Sequence, residues 1–126
     1  MGNTEKITKT TLTKAEEQIM QKLWMLKKAT VRELLAEMPD PKPAYNTVST
    51  IIRILEKKEI VSHEGAGKTF TYFPILEKEL YKKQRLKSLI AGYFNGSFSQ
   101  MASFFSKEEK LSKKDLEALR RILDKN

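Results

Sequence analysis

The stretch "PAYNTVSTIIRILEKKEIV", Pro43 to Val61, has the pattern of a helix with two unlike faces. Its apolar residues recur at the i, i+3, i+4 and i+7 spacing of one buried face; they are Val48, Ile51, Ile52 and Leu55. The opposite face carries short polar side chains followed by cations, namely Asn46, Ser49, Thr50, Arg53 and Lys57. Asn, Ser and Thr are mediocre helix formers, so this polar face indicates a role outside the core.

Two further helices are predicted upstream of this stretch, each from a capping box at its start. "TKAE", Thr13 to Glu16, and "TVRE", Thr30 to Glu33, both place a Glu three residues after a Thr, so that each side chain can satisfy a backbone N–H. "PDPKP", Pro39 to Pro43, cannot continue the second helix, because proline lacks an N–H and restricts the residue before it. Three helices within about 45 residues predict a compact bundle.

Downstream, the pattern changes to "IVSHEGAGKTFTYFP". Two strand-like runs, Ile60 to Glu64 and Thr69 to Phe73, flank "GAGK", whose glycines can supply positive φ in a turn. We predict a hairpin tipped by Lys68 and closed off by Pro74. Three helices followed by a hairpin are the element order of a winged helix-turn-helix, in a mainly α fold with a small β-hairpin.

The remainder is predicted to be helical, over Leu76 to Tyr93 and Ser112 to Leu123, with a break at Asn95 and Gly96. Five of the six phenylalanines lie at or after Phe73. A C-terminal segment of about 45 residues cannot bury so many aromatic rings by itself. We expect a second copy of the chain to pack against these rings. We therefore predict a winged-helix DNA-binding domain over residues 1–75 and a helical dimerisation region over residues 76–126.

Composition argues against enzyme activity. The chain has no cysteine and a single histidine, His63, so we expect no disulfide, no metal site and no cofactor. The sequence offers no Ser/His/Asp or Cys/His arrangement and no glycine-rich phosphate loop. Since no apolar run approaches the roughly 18 residues of a membrane span or the roughly 7 to 15 of a signal-peptide core, we expect a cytoplasmic protein without membrane insertion.

The formal charge of +8 and the pI near 9.6 favour a polyanionic partner. The charge is unevenly distributed: residues 1–80 carry a net +2 and residues 81–126 a net +6. DNA binding by the N-terminal part must therefore rest on local clustering of basic residues.

The polar face of the third helix suits double-stranded DNA. In a helix-turn-helix the second helix of the motif enters the major groove, and its N-terminal residues reach base edges. Asn pairs with adenine, Ser and Thr contact bases or phosphates, and Arg reads guanine or holds a phosphate. Tyr45 either stacks against the sugar-phosphate backbone or packs on the second helix, and the sequence leaves both open.

Three alternatives also stay open at this point. The polar face can simply be solvated, or it can dock another protein, as in a winged helix that serves as an interaction module. The third alternative is a ligand-sensing regulator with an effector pocket under the Phe-rich C-terminal part.

The sequence resembles the penicillinase repressor family, of the BlaI/MecI/CopY type, which controls bacterial β-lactamase and methicillin-resistance operons. The resemblance rests on four segments in order, over roughly Leu12 to Asn126: "LTKAEEQIMQKLWMLKKATVRELLAEM", "AYNTVSTIIRILEKKEIV", "KTFTYFPI" and "LSKKDLEALRRILDKN". It implies a homodimeric transcriptional repressor that binds a pseudo-palindromic operator. Copper-responsive members carry a C-terminal cysteine metal site, and the lack of cysteine excludes that branch.

The resemblance also implies site residues. The recognition helix becomes Ala44 to Lys57, and the implied groove contacts are Asn46, Thr47, Ser49, Thr50 and Arg53, with Lys68 on the wing. The pattern of the helix itself adds Tyr45 and Lys57 to the predicted DNA-binding residues. The implied dimerisation residues are Leu86, Ile90, Phe94, Phe98, Met101, Phe105, Leu116, Leu119 and Ile122.

Induction is implied by the same resemblance. Antibiotic-responsive members are cleaved at an Asn-Phe bond in the dimerisation region, after a membrane sensor metalloprotease detects a β-lactam. The corresponding place is "MASFFSKEE", where Phe105 matches and Phe104 stands in place of the Asn. The sequence thus marks Phe104 and Phe105 as a cleavage site that departs from the family pattern. It leaves open the inducing signal, the operator and the regulated genes.

Overall fold

A computed structural model describes residues 11–66, 69–107 and 112–124. Within these residues the helices are α1 (Lys14–Leu26), α2 (Val31–Ala36), α3 (Tyr45–Lys57), α4 (Lys78–Tyr93), α5 (Phe98–Lys107) and α6 (Lys113–Asp124), and the strands are β1 (Val61–Glu64) and β2 (Thr71–Pro74). The predicted fold class, mainly α with a small hairpin in the winged-helix order, is confirmed. The chain divides into an N-terminal unit, Met1–Lys78, and a C-terminal unit, Glu79–Asn126.

Both predicted capping boxes are present. The Glu16 N–H donates to Thr13 Oγ1 at 3.1 Å, and the Thr13 N–H donates to Glu16 Oε1 at 2.8 Å. The same pair of bonds joins Thr30 and Glu33, at 3.2 and 2.8 Å. Because these bonds satisfy N–H groups that have no partner within the helix, α1 and α2 begin where the sequence predicts.

The core of the N-terminal unit is built from the apolar stripe of each element. Three of the four inward residues predicted on α3, Val48, Ile52 and Leu55, are fully buried, while Ile51 is half-buried. Other fully buried side chains come from α1, α2 and the start of the hairpin: Ile19, Met20, Leu23, Leu34 and Ile60. Each such side chain contributes about 1.5 to 3 kcal/mol when it leaves water. Packing therefore holds α3 in place despite its weak intrinsic propensity.

The hairpin forms the wing, and it is attached to the chain ahead of α2. β1 and β2 are antiparallel, with His63 opposite Tyr72 and Glu64 opposite Thr71. The Ala29 N–H donates to Tyr72 O at 2.9 Å, and the Tyr72 N–H donates to Ala29 O at 2.8 Å, so Ala29 adds a third extended segment. These two backbone bonds fix the middle of β2 to the helical bundle.

The ends of the hairpin differ in part from the prediction. Gly65 has φ +99°, and a Cβ there would lie 2.8 Å from Thr69 O, so only glycine fits the turn. Pro74 does not close off the hairpin but pairs with Val61 inside β2, at the end of the strand where its missing N–H is tolerated. The predicted wing residue Lys68 lies outside the described residues.

Leu76 belongs to the N-terminal core and not to the next helix. The predicted helix start at Leu76 is wrong by two residues, since α4 begins at Lys78. Leu76 is fully buried, and its carbonyl accepts a hydrogen bond from Trp24 Nε1 at 2.8 Å. This bond ties the segment after the wing to α1.

The C-terminal unit consists of helices with few buried residues. The predicted break after α4 is confirmed, because Asn95 and Gly96 have φ of 54° and 78°. Tyr81, Ile90 and Met101 are buried, whereas no described residue of α6 is. α6 starts one residue after the predicted Ser112, whose hydroxyl accepts from the Asp115 N–H at 3.1 Å as its cap. An amphipathic helix without a buried residue has an apolar face that its own unit leaves incompletely covered.

Candidate nucleic-acid and self-association surfaces

The outer face of α3 presents the predicted polar row to solvent. Asn46, Thr47 and Thr50 are exposed, and so are Arg53 and Lys57 further along the helix. On the other side of the helix Val48, Ile52 and Leu55 are fully buried, so the helix cannot rotate to hide its polar row without exposing these core residues. The row is therefore a fixed, accessible surface of donors, acceptors and cations.

Ser49 is the exception among the predicted residues. It is buried, with 8% of its surface exposed, so the expectation that it lies on the open polar face is wrong. Its Oγ accepts a hydrogen bond from Arg53 Nη2 at 3.0 Å, one helical turn away. A guanidinium carries five N–H donors, so Arg53 keeps others for an external partner while Ser49 restricts its orientation.

Tyr45 packs toward the second helix. The residue is 44% exposed, and the Arg32 guanidinium of α2 lies 5.6 Å from the ring centroid. This distance is within the range of a cation–π contact. The predicted packing on α2 is thus present in the free chain, and the contact of Tyr45 with the sugar-phosphate backbone stays a prediction. The sequence reasoning missed Arg32, although its place inside the "TVRE" capping box puts it on the first turn of α2.

A cleft of about 390 Å³ lies between α3, the start of α2 and the wing. Its lining includes the guanidinium groups of Arg32 and Arg53 and the aromatic rings of Tyr45, Phe70 and Tyr72. Burial raises the pKa of Tyr72, and the negative charge of Glu56 adds to that effect against the opposing charge of Arg53. Glu56 also lines the cleft, so the cleft is an aromatic extension of the α3 surface with two cations and one carboxylate.

A buried carboxylate supports α3 at its C-terminal end. Lys58 Nζ, in the residue that caps α3, donates to Glu16 Oε2 at 2.7 Å, and the Glu16 side chain is only 6% exposed. Burial acts to raise the pKa of Glu16, but hydrogen bonds from Lys58 and the Thr13 backbone outweigh it and leave that pKa lowered. The charged pair joins the first turn of α1 to the last turn of α3.

The predicted dimerisation residues lie in the C-terminal unit with different degrees of burial. Ile90 and Met101 are buried, whereas the others are half-buried: Leu86, Phe94, Phe98, Phe105, Leu116, Leu119 and Ile122. Phe104 is 52% exposed, with its ring centroid 5.8 Å from Phe94 and 5.4 Å from Phe105. We call these three rings the aromatic cluster. An apolar cluster this open is typical of an association surface.

The described residues contain no group of three or more His, Cys, Asp or Glu side chains arranged to hold a metal ion. Within the same ranges, no helix is both long and apolar enough to cross a membrane.

Comparison with known proteins identifies the family of the chain. Residues 12–125 match the family model described as penicillinase repressor. The methicillin resistance regulatory protein MecI of Staphylococcus aureus (strain N315) is 30% identical over 115 residues, which cover 90% of this chain and 94% of MecI. A penicillinase repressor of Bacillus licheniformis is 24% identical over 113 residues, covering 89% of this chain and 88% of that protein.

A solved structure described as a CopR repressor is 35% identical and covers 54% of this chain and 100% of its own, with a TM-score of 0.45. The match to the family model spans both the winged helix and the C-terminal helices. The chain belongs to the penicillinase repressor family, whose members are transcriptional repressors rather than enzymes.

Proposed function

We propose that the chain is a homodimeric repressor that binds a pseudo-palindromic operator through α3 of each protomer. One observation carries the proposal: α3 holds an exposed row of short polar and cationic side chains opposite an apolar stripe whose residues Val48, Ile52 and Leu55 are fully buried. A helix that enters the major groove needs this combination, because short donors and acceptors let the helix approach base edges closely.

The residues divide by chemistry. Asn46, Thr47 and Thr50 lie on the first turns of α3, where recognition helices reach base edges, and Arg53 lies one turn further on. Lys57 and Lys68, which the sequence predicts on the wing, are suited to phosphates, since a lysine ammonium acts as a point charge without base preference. Ser49 contributes through Arg53, and Tyr45 through its contact with Arg32.

Two copies of the C-terminal unit would cover the half-buried apolar residues described above. A two-fold dimer places two α3 helices on one face of the duplex, so the half-sites are expected about one helical turn apart or at a near multiple of that spacing. The open aromatic cluster and the uncovered face of α6 support this arrangement.

We propose the Phe104–Phe105 bond as the place where a membrane sensor metalloprotease would inactivate the repressor of a β-lactamase or antibiotic-resistance-type operon. Both residues lie inside α5, so α5 must open before an extended segment can enter a protease. Cleavage there would separate α6 from the rest of the chain. Mass spectrometry of the chain from β-lactam-treated cells tests this step; an intact mass in fully induced cells would exclude it.

Operator binding is tested by fluorescence anisotropy with the DNA upstream of the chain's own gene, at roughly 150 mM salt and with excess random duplex as competitor. The proposal predicts binding that survives the competitor. Binding that appears only at low salt, with equal affinity for random DNA, would mean that net charge alone accounts for the interaction.

A further inference from the structure

One side-chain contact joins the recognition helix to the outer half of the wing. His63 Nδ1, on β1, lies within hydrogen-bond distance of Glu56 Oε2, in the last turn of α3. A carboxylate only accepts hydrogen bonds, so Nδ1 carries the proton and donates it. Both side chains are about 30% exposed, at 31% for His63 and 30% for Glu56. The contact is therefore partly sheltered from competing water.

Aromatic rings hold the imidazole in that position. The His63 ring stacks on Phe70 with centroids 4.1 Å apart and meets the edge of Tyr72, the cross-strand partner of His63, at 5.7 Å. Phe70 and Tyr72 also contact each other edge to face, at 6.5 Å. The ring is thus fixed on one side by the wing itself, while its Nδ1–H reaches across to α3.

Backbone hydrogen bonds hold the base and the middle of the wing. The Ile60 N–H, one residue before β1, donates to Leu55 O of α3 at 2.9 Å, and the Ala29–Tyr72 bonds fix β2 to the segment ahead of α2. Neither of these attachments reaches the outer half of β1. Toward the tip, Lys28 Nζ donates to Glu64 Oε1 at 2.9 Å. Both side chains are more than half exposed, at 60% and 54%, and an ion pair this exposed contributes little to the stability of the wing. Of the side-chain contacts described above, Glu56–His63 alone connects β1 directly with α3.

We propose that His63 is a positioning residue for operator binding, which sets the angle of the wing against α3 without itself touching DNA. The inference rests on the proposed function. In the proposed complex, α3 enters the major groove and the wing contacts the neighbouring DNA backbone. Affinity is highest when the two elements already have that orientation in the free protein, because ordering a loose element on binding costs free energy. The Glu56–His63 contact fixes the wing against α3 in the free protein.

Without the Glu56–His63 contact, the hairpin would have to become ordered when the protein binds DNA, and that cost sets the expected loss of operator affinity. His63→Ala should weaken operator binding about three- to tenfold, and the slope of log affinity against log salt should become shallower by roughly one phosphate contact. His63→Asn should restore much of the affinity, because the Asn amide nitrogen occupies nearly the place of Nδ1 and can donate to Glu56.

Two control variants separate positioning from other effects. Glu64→Gln removes the neighbouring ion pair on the same strand and should leave affinity within about twofold, as expected for an exposed pair. Glu16→Gln destabilises the same unit at a site that does not touch the wing. If Glu16→Gln lowers operator affinity as much as His63→Ala does, loss of stability explains the result and the proposal is overturned.

The decisive experiment combines operator titrations of these variants over a salt series with amide hydrogen exchange of the free proteins. Exchange should become faster in β1 and β2 of His63→Ala but not in α1, and His63→Asn should reverse the change. Unchanged wing exchange, or wild-type operator affinity in His63→Ala, overturns the proposal while leaving operator binding intact. Failure of the wild-type protein to prefer operator over random DNA would overturn the proposed function itself, and the positioning role with it.

Discussion

At the scale of single residues, the Ser49–Arg53 hydrogen bond restricts the main cation on the outer face of α3. Arg53 is exposed but not free to turn, because Ser49 Oγ accepts from its Nη2. Losing rotamer freedom before binding reduces the entropy lost on binding. If α3 binds DNA as proposed, Ser49 therefore contributes to binding through Arg53.

Ser49→Ala is expected to weaken operator binding by about 0.5 to 1.5 kcal/mol, the net value of one hydrogen bond. The melting temperature should hold or rise slightly, since Ala is a better helix former than Ser. Anisotropy titration and thermal denaturation together measure both quantities, with Ser103→Ala, at an exposed position of α5, as the matched control. Operator affinity equal to that of the wild-type protein would show that Arg53 does not depend on Ser49.

Sequence periodicity predicts an exposed Ser49, whereas the residue is buried. The 3.6-residue repeat identifies the centre of a buried stripe well, as Val48, Ile52 and Leu55 show. Ser49 lies at the edge of that stripe, and whether an edge residue is covered depends on the neighbouring elements. Here it lines the cleft together with Phe70 and Tyr72 of the wing, and no local pattern predicts that contact.

At the scale of secondary-structure elements, side-chain contacts fix α3 to its neighbours at its C-terminal end. Lys58 pairs with Glu16 of α1, 42 positions earlier, and Glu56 contacts His63 of β1. The sequence predicted the hairpin and every helix except α5, because their signals are local: capping boxes, apolar spacing and turn glycines. It did not predict α5, Phe98–Lys107, as a separate helix. The contacts between elements could not be predicted, because a charged residue on a helix gives no sign of its distant partner.

Glu16→Gln is expected to lower the free energy of unfolding by about 1 to 2 kcal/mol near pH 7, a value kept low because Lys58 is partly solvated. Gln can still accept the Thr13 N–H through Oε1, so the variant removes the ion pair and keeps the capping box. Urea denaturation measures the loss. Glu33→Gln, at the equivalent position of the exposed α2 box, is the matched control and should change stability less.

The same pair predicts a pH dependence. The folded-state pKa of Glu16 is lowered from its usual value of 4.5, so the unfolded chain takes up the proton more readily than the folded one. The stabilisation by Glu16 is therefore complete above pH 4.5 and is lost as the pH falls through the folded-state pKa. The stability difference between wild type and Glu16→Gln should shrink over that range. A difference that stays constant with pH would show that the charge on Glu16 does not stabilise the fold.

At the scale of the whole molecule, the proposed function requires two chains, and substitution in the aromatic cluster tests whether they associate through it. Phe104→Asp is expected to yield monomers at micromolar concentration, because a charge placed among apolar rings must be desolvated in the dimer. Phe104 is already half exposed, so the fold of each chain should survive. Sedimentation velocity reports the oligomeric state. Ser103→Asp adds the same charge at the neighbouring exposed position and should remain dimeric; a dimeric Phe104→Asp would refute the assignment of the cluster.

The most direct test of the central claim, that the outer face of α3 reads the operator, is a base-substitution scan of the operator with wild-type protein and Arg53→Ala. The wild-type protein should lose about 1 to 3 kcal/mol for a mismatch at the base pair that Arg53 reads. Arg53→Ala should lose that discrimination at one symmetry-related position in each half-site and keep it elsewhere. A variant that discriminates at every position as the wild-type protein does would contradict the placement of α3 in the major groove.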